Sequence, residues 1–303
     1  MEQIGDFEVE RELGRGGMGV VYLARSPRLS EPVALKVLQP GADAQDVKRF
    51  QQEARAVARL RHPGIVRVLE HDKTRDGKWY MAMELVDGEP LDRVLARDGP
   101  LTPPRGAAMA LELVKALEFA HESKVLHRDI KPANILLQRD GRVRLTDFGL
   151  AKVLGTESLT RTGDVIGTPV YMSPEQARAQ RDRIDERTDI YQLGATFYHL
   201  LTGRRPFDGK GIGEVLVMIV REPPRRPSTY RPEIPDALEA IVLRCMEKDP
   251  VKRFQSAAEL RAALEALVGR PSLGQRLRGW LRSCPFLGGG AATLALAALR
   301  ALL

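Results

Sequence analysis

The sequence predicts an α+β chain of two lobes: a small one of antiparallel strands with one helix, and a larger, mainly helical one. Three observations carry this. Residues 7–86 hold β-prone runs broken by a single stretch of helical period, and beyond Asp87-Gly88-Glu89-Pro90 apolar residues recur at helical spacing. The two segments richest in chemistry, His127–Asn134 and Asp147–Gly149, fall in the second region, a short strand apart. With 303 residues, 43% apolar and 29% charged, the chain has room for a substantial core and an ordinary soluble composition.

The elements follow in order. Val20, Val21 and Leu23, then Val33-Ala34-Leu35-Lys36-Val37, read as strands divided by the turn-rich Ser26–Pro32. Val47, Phe50, Ala54, Val57 and Leu60 keep helical spacing, so one amphipathic helix is predicted over 44–60, ended by Pro63-Gly64. Two more strands are predicted near 65–70 and 79–86, joined through Arg75-Asp76-Gly77 as the hairpin turn. Met109, Leu113, Ala116, Leu117 and Ala120 then line a helix that stops before His127. Ile190, Leu193, Phe197, Leu200 and Leu201 line another, closed by Gly203 in a left-handed end position. Ser256-Ala257-Ala258-Glu259 has the spacing of a capping box and opens a last helix to about Leu267.

Charge and cysteine usage narrow the function classes. The net charge is +7, but the five arginines after Glu265 supply five of those charges, which leaves +2 for the rest of the chain. A nearly balanced body argues against a nucleic-acid surface. Two cysteines, Cys245 and Cys284, support neither a disulfide framework nor a cysteine metal site, and a reducing cytosol fits. The N-terminus has no basic segment or apolar core, so no secretory signal peptide is expected.

The chemistry is concentrated. His127-Arg128-Asp129-Ile130-Lys131-Pro132-Ala133-Asn134 and Asp147-Phe148-Gly149 place two carboxylates, an ammonium and a carboxamide in fixed order. Phoshoryl transfer from a metal-bound nucleotide needs that set: one carboxylate to orient the attacking hydroxyl, a carboxylate and an amide for metal, and a lysine beside the moving phosphoryl group. Asp129 alone reads equally as a turn residue and Asn134 as a helix cap, but neither reading accounts for the joint appearance of Lys131, Asn134 and Asp147. Gly14-Arg15-Gly16-Gly17-Met18-Gly19-Val20-Val21 adds a glycine run whose backbone can approach phosphate oxygens. The run leads into a strand, Val20–Ala24, and not into the helix that a dinucleotide-binding turn must open.

Together these motifs resemble those of protein kinases over about residues 7–267, and most closely the bacterial Hanks-type serine/threonine kinases, to which Val165-Ile166-Gly167-Thr168-Pro169-Val170-Tyr171-Met172-Ser173-Pro174-Glu175-Gln176-Ala177 is similar. The resemblance implies a two-lobed protein-kinase-like fold, a small lobe over about 7–86 and a large one over about 87–267. It implies ATP and Mg2+ as cofactors and the Ser/Thr hydroxyls of proteins as acceptors. On this pattern Asp129 accepts the hydroxyl proton, Lys131 meets the γ-phosphate, Asn134 and Asp147 hold metal, and Lys36 is aimed at the α- and β-phosphates by an ion pair with Glu53. Gly14, Arg15, Gly16, Gly17, Met18, Gly19, Val20 and Val21 then cover the nucleotide. Leu13, Val21, Ala34 and Leu136 enclose the adenine, Met83 is the gatekeeper, and the backbones of Glu84 and Val86 form the hinge. Glu175 is expected to pair with Arg253, Asp189 to bond the catalytic-loop backbone, and Thr168 to bond Asp129 and Lys131. Ser173 stands where the family usually has alanine.

Two expectations concern regulation and location. Arg128 precedes Asp129, as in kinases that pair such an arginine with a phosphate on the segment from Asp147 to Glu175, so Thr160 and Thr162 are the expected autophosphorylation sites. Residues 268–282 read as a basic linker and 283–303 as an apolar tail. Ser283–Leu299 is 17 residues without charge, and at roughly 1.5 Å each it spans about 25 Å, short of a bilayer core of about 30 Å. Extension to Leu303 suffices but includes Arg300, while Arg276, Arg278, Arg282 and Trp280 fit a cytoplasmic flank. A spanning anchor in the inner membrane, an interfacial basic helix and an unstructured tail all remain open for this stretch, with the kinase domain cytoplasmic.

Overall fold

The structure, a computed structural model, describes residues 3–16, 19–39, 41–148 and 169–269. The small lobe is built from β1 (Gln3–Ile4), β2 (Phe7–Gly16), β3 (Gly19–Arg25), β4 (Val33–Leu38), α1 (Ala44–Val57), β5 (Val68–Lys73) and β6 (Trp79–Glu84). Its six strands form one antiparallel sheet in the order β1-β2-β3-β4-β6-β5. The period-two alternation of a strand sorts the side chains. Val33, Leu35 and Val37 join Phe7, Tyr80 and Ala82 in a small core on one face. On the other face Val21 pairs across from Lys36, and Ala34 from Met83. That face is shared by α1 and the cleft.

The predicted helix over 44–60 ends at Val57, where Ala58 and Leu60 turn back onto Ala54 and Val57 carbonyls. Leu60 keeps its place in the core from outside the helix. The strand expected near 65–70 starts at Val68, because Ile65 and Val66 are engaged elsewhere. Ile65 bridges Leu145 in parallel, Val66 N–H donates to Leu145 C=O (2.8 Å) and Leu145 N–H to Gly64 C=O (2.8 Å). Those residues stitch the small lobe to the strand that leads to Asp147. The hairpin turn lies where the sequence puts it, with Gly77 at φ 92°.

The large lobe holds β7 (Gly88–Pro90), α2 (Leu91–Asp98), α3 (Pro103–Glu122), β8 (Ile135–Gln138), β9 (Val143–Leu145), α4 (Pro174–Ala177), α5 (Glu186–Thr202), α6 (Ile212–Arg221), α7 (Asp236–Cys245) and α8 (Ala257–Val268). The strands form a second antiparallel sheet, β7-β8-β9, beneath the first. Helix α3 carries the predicted apolar face on Met109, Leu113, Ala116, Leu117 and Ala120, all buried. Helix α5 is buried almost all round and ends at Gly203, φ 69°. Ser256 caps α8 by accepting Glu259 N–H (3.1 Å), but Glu259 returns its carboxylate to Gln255 N–H, one residue before the expected partner. An apolar void lined by Ala110, Leu193, Phe197, Val242, Cys245 and Leu264 lies among α3, α5, α7 and α8. It has no polar group to orient a ligand and is a packing defect within the core.

Candidate active site

The upper wall of the cleft carries three charges. Strand alternation points Lys36 of β4 inward, and helical spacing puts Glu53 on the face of α1 between Phe50 and Val57. Lys36 Nζ lies 3.2 Å from Glu53 Oε1 and 2.9 Å from Asp147 Oδ1, so a single ammonium joins sheet, helix and the segment after β9. Burial works against the charge on Lys36, but Asp147 and Glu53 outweigh it and push its pKa up. Lys36 in turn outweighs burial at Asp147 and holds that carboxyl below its ordinary range, ionised at neutral pH. Burial pushes Glu53 up, with Lys36 opposing. Sequence reasoning expected the Lys36–Glu53 pair; the second contact, to Asp147, has no signal in local sequence.

The lower wall is the catalytic loop. Asp129 Oδ2 is 3.0 Å from Lys131 Nζ and accepts Asn134 Nδ2–H at 2.9 Å. The same Asn134 nitrogen bonds Asp129 C=O (2.9 Å), and Thr146 N–H donates to Asn134 C=O (3.0 Å), which sets the loop beside Asp147. With its nitrogen spent on Asp129, the carboxamide oxygen of Asn134 is the atom that would face a cation. Magnesium favours hard oxygen donors, commonly one or two side chains completed by phosphate oxygens and water. The Asp147 carboxylate and the Asn134 amide oxygen fit that part-shell, and among the described residues no group of three or more His, Cys, Asp or Glu could hold an ion alone.

His127 and Asp189 fix the loop from below. His127 is fully buried, and its ring packs on Phe148 at 4.4 Å between centroids. Its Nε2 faces Thr146 C=O (3.1 Å) while Nδ1 accepts Asp129 N–H (3.3 Å), an arrangement that assigns a neutral ring protonated on Nε2. Burial pushes its pKa down and favours that neutral form. Asp189 of α5 accepts the N–H groups of His127 (2.8 Å) and Arg128 (2.6 Å), and its Oδ2 meets His121 Nε2 (2.8 Å), as the resemblance implied for the backbone bonds. These bonds hold Arg128 at φ 64°; Asp147 stands at φ 55°. Left-handed backbone at non-glycine residues persists where surrounding bonds over-determine it.

The remaining candidate nucleotide residues fall around the same opening. Leu13, Val21, Ala34, Val86 and Leu136 are half-buried apolar side chains, and Met83 is buried behind them. Val20 pairs with Val37 on the opposite sheet face, so a nucleotide could meet it only through its backbone. Arg15 is exposed and paired with Glu12. Gly19 is required by the fold, since a Cβ would stand 2.2 Å from Val37 C=O. At Gly14 and Gly16 a Cβ would meet nothing within 4 Å and φ is not positive, so no described protein atom demands glycine there. Open space on that side suits a backbone meant to be approached by phosphate. Gly17, Met18, Thr160, Thr162 and Thr168 lie outside the described residues, as does the tail from 270.

The expected ion pair beneath the loop is bidentate: Arg253 Nη1 and Nη2 reach Glu175 Oε1 and Oε2 at 2.8 and 2.9 Å. Burial alone would push Glu175 up, but Arg253 and Thr188 (2.7 Å) hold its carboxyl below the usual range. Arg253 spends its other protons on the Arg187, Glu247 and Lys248 carbonyls. Sequence reasoning missed three neighbours of the site. Gln176 and Gln192 bond the catalytic-loop backbone, and Arg144 reaches the Glu84 side chain at the hinge. The four-residue spacing of Ser173-Pro174-Glu175-Gln176 is a capping-box signal that could have flagged Gln176; it forms a full box here.

Comparison with known proteins adds to this geometry. Residues 7–264 match the protein kinase domain family. The chain is 42% identical over 275 residues to a probable serine/threonine-protein kinase of Streptomyces coelicolor, covering 88% of this chain and 41% of that protein. It is 41% identical over 265 residues to the serine/threonine-protein kinase PknB of Mycolicibacterium smegmatis, covering 85% and 42%. A probable serine/threonine-protein kinase of Clostridium perfringens is 38% identical over 269 residues, covering 88% and 39%. This chain thus spans about two fifths of the length of the curated relatives it matches.

Proposed function

This chain belongs to the protein kinase family, and on that premise we propose that it transfers the γ-phosphate of Mg-ATP to serine and threonine hydroxyls of proteins. The observation that carries the reading is the intact pair of walls: Lys36 on Asp147 above, and Lys131 with Asn134 on Asp129 below. Lys36, held charged by two carboxylates, meets α- and β-phosphate oxygens. Asp129 accepts the proton of the attacking hydroxyl, and Lys131 neutralises charge on the phosphoryl oxygens as the bond to the leaving oxygen breaks. Asp147 and Asn134 hold Mg2+, which when bound neutralises phosphate charge and fixes the phosphate geometry. The apolar cage and the backbones of Glu84 and Val86 seat the adenine.

The serine/threonine class rests on Asp129-Ile130-Lys131, on the segment Pro169–Glu175 beside the loop, and on the names of the relatives. We propose further that Thr160 or Thr162 is autophosphorylated and that Arg128 receives the phosphate. Arg128 Nε is buried without a hydrogen-bond partner among the described residues, which leaves a guanidinium able to take an anion. The domain is proposed to occupy residues 7–267, with 268–282 as a basic linker. For the apolar tail we propose a membrane anchor in a cytoplasm-facing enzyme; among the described residues no helix is long and apolar enough to cross a membrane. Retention of the full chain on membranes in alkaline carbonate is expected, and release by salt alone would replace the anchor with a surface-bound helix.

The deciding experiment incubates the pure chain with γ-labelled ATP, Mg2+ and a threonine peptide, then maps the label. Magnesium-dependent labelling of the peptide and of Thr160 or Thr162 is expected. ATP binding without transfer would make the chain a binding module instead.

A further inference from the structure

Two glutamines that the kinase reading leaves without a task meet on the backbone around Asp129. Gln176 of α4 and Gln192 of α5 are 5% and 2% exposed. Gln192 Nε2 donates to Arg128 C=O (2.9 Å) and to Gln176 Oε1 (2.9 Å), and its Oε1 accepts Ile130 N–H (3.1 Å). Gln176 Nε2 donates to the same Arg128 carbonyl (2.9 Å), and its Oε1 also takes Ser173 N–H (3.0 Å). One turn on, Thr196 Oγ1 donates to Ile130 C=O (3.3 Å). The peptide groups immediately before and after Asp129 are therefore both tied to carboxamides, and those carboxamides are tied to each other and to Ser173.

We propose that Gln176 and Gln192 are positioning residues for the acceptor side of the reaction, locking Asp129 to the segment 169–176 that an acceptor peptide would meet. The inference rests on the kinase reading and deepens it. The chemistry calls for carboxamides: the site needs donors toward Arg128 C=O and an acceptor for Ile130 N–H from one side chain, which neither a carboxylate nor an ammonium supplies. Being neutral, the pair also avoids the cost of a buried charge. Arg128 at φ 64° gives the lock something to hold: Asp189 fixes the N–H side of that residue, and the two glutamines fix its carbonyl and, two residues on, the Ile130 N–H. Asp129 is the residue that would be displaced, and a misplacement of about 1 Å costs roughly 100-fold in rate.

The test compares the full chain with its Gln192→Leu, Gln192→Glu and Gln176→Leu variants. It reads kcat and KM for Mg-ATP with one uncharged threonine peptide, thermal unfolding, and hydrogen exchange at the Ile130 amide. Gln192→Leu should lose roughly 100-fold in kcat while KM for ATP stays within about 2-fold, and Ile130 should lose its exchange protection. Gln176→Leu should lower kcat in the same direction. Gln192→Glu supplies the discriminating readout. A buried glutamic acid titrates above its ordinary pKa, and only its protonated form keeps one donor for Arg128 C=O beside an acceptor for Ile130 N–H. Its kcat relative to wild type should therefore rise as the pH is lowered from 8.5 to 5.5, while the ratio for Gln192→Leu stays flat. An active wild type whose variants keep kcat within about 3-fold, or a flat ratio for Gln192→Glu, overturns this proposal alone. A wild-type chain that transfers no phosphate overturns the kinase reading and this proposal with it.

Discussion

The two walls of the cleft are held by different physics. On the nucleotide side, Lys36, Glu53 and Asp147 meet as charges contributed by a strand, a helix and a loop far apart in sequence. On the acceptor side, the backbone from His127 to Ile130 hangs on α5 through Asp189, Gln192 and Thr196, one face of one helix. Charge attraction falls slowly with distance and tolerates movement, whereas hydrogen bonds weaken steeply once length and angle leave a narrow range. On the proposed function, the arrangement would let the nucleotide-side lobe shift while Asp129 stays fixed.

The largest effect should come from splitting the two carboxylates. Asp129→Asn is expected to cut turnover by about 1000-fold or more while nucleotide affinity holds, since the bonds of Asp129 to Lys131 and Asn134 run within the catalytic loop and not to the Lys36 cluster. Asp147→Asn is expected to abolish productive binding of Mg-ATP, because it removes the negative charge of the proposed metal ligand and of one of the two carboxylates paired with Lys36. Titration with a fluorescent nucleotide reads the difference. Equal loss of affinity in both variants would erase the distinction between the walls.

Besides Lys131–Asp129, the acceptor side has a fully buried ion pair, and it tests the contrast. Glu175–Arg253 is buried, bidentate and fully hydrogen-bonded. Arg253→Ala should cost about 3–5 kcal/mol, because it strands a buried carboxylate, and chemical denaturation would measure it. A cost below about 1 kcal/mol would mean that this pair behaves like a surface bridge.

The pH dependence of stability probes the charges of the nucleotide side. Asp147 has a folded pKa below its unfolded one, so its contribution is present above the unfolded value and is lost as the pH falls through the folded one. Lys36 has a raised pKa, so its contribution is complete below its unfolded value and is lost as the pH rises through the folded one. The stability difference between wild type and Asp147→Asn should hold at neutral pH and shrink in acid. A difference that persists unchanged in strong acid would show that Asp147 acts by packing and not by charge.

How much of this was readable in advance follows the same division. The strands, α1, α3, α5 and the candidate catalytic side chains carry short-range signals: a period, a turn residue, a motif. Asp129, Lys131, Asn134 and Asp147 could be named because they sit 18 residues apart at most. Gln192 could not, since its partners Arg128 and Ile130 lie over 60 positions away and glutamine in a buried helix has no distinctive pattern. The shift of β5 to Val68 was invisible for the same reason, as it depends on Ile65 and Val66 preferring Leu145.

The smallest predicted effect is at the hinge, where charge serves a backbone. The side chain of Glu84 lies on the sheet face away from Lys36 and accepts from Arg144 of β9 and from Arg67 N–H (2.8 Å), while Glu84 N–H donates to Arg67 C=O (3.0 Å). Arg144 is held from behind by Gln138 (3.0 Å). The Glu84 carbonyl is the atom proposed to meet adenine, so this clamp sets the height of the hinge over Leu136, which pairs with Arg144 in the second sheet. The pair is only partly buried, at 18% and 31% exposure, so its worth is discounted for solvent. At about 1 kcal/mol, Arg144→Gln should raise KM for ATP roughly 5-fold and leave kcat within about 2-fold, because among the described residues the side-chain hydrogen bonds of Arg144 run to Glu84 and Gln138 and not to the acceptor wall. Steady-state kinetics at fixed peptide reads both numbers. A fall in kcat with KM unchanged would place Arg144 on the acceptor side, through Leu145 and Thr146, and would show that the two walls are coupled along β9.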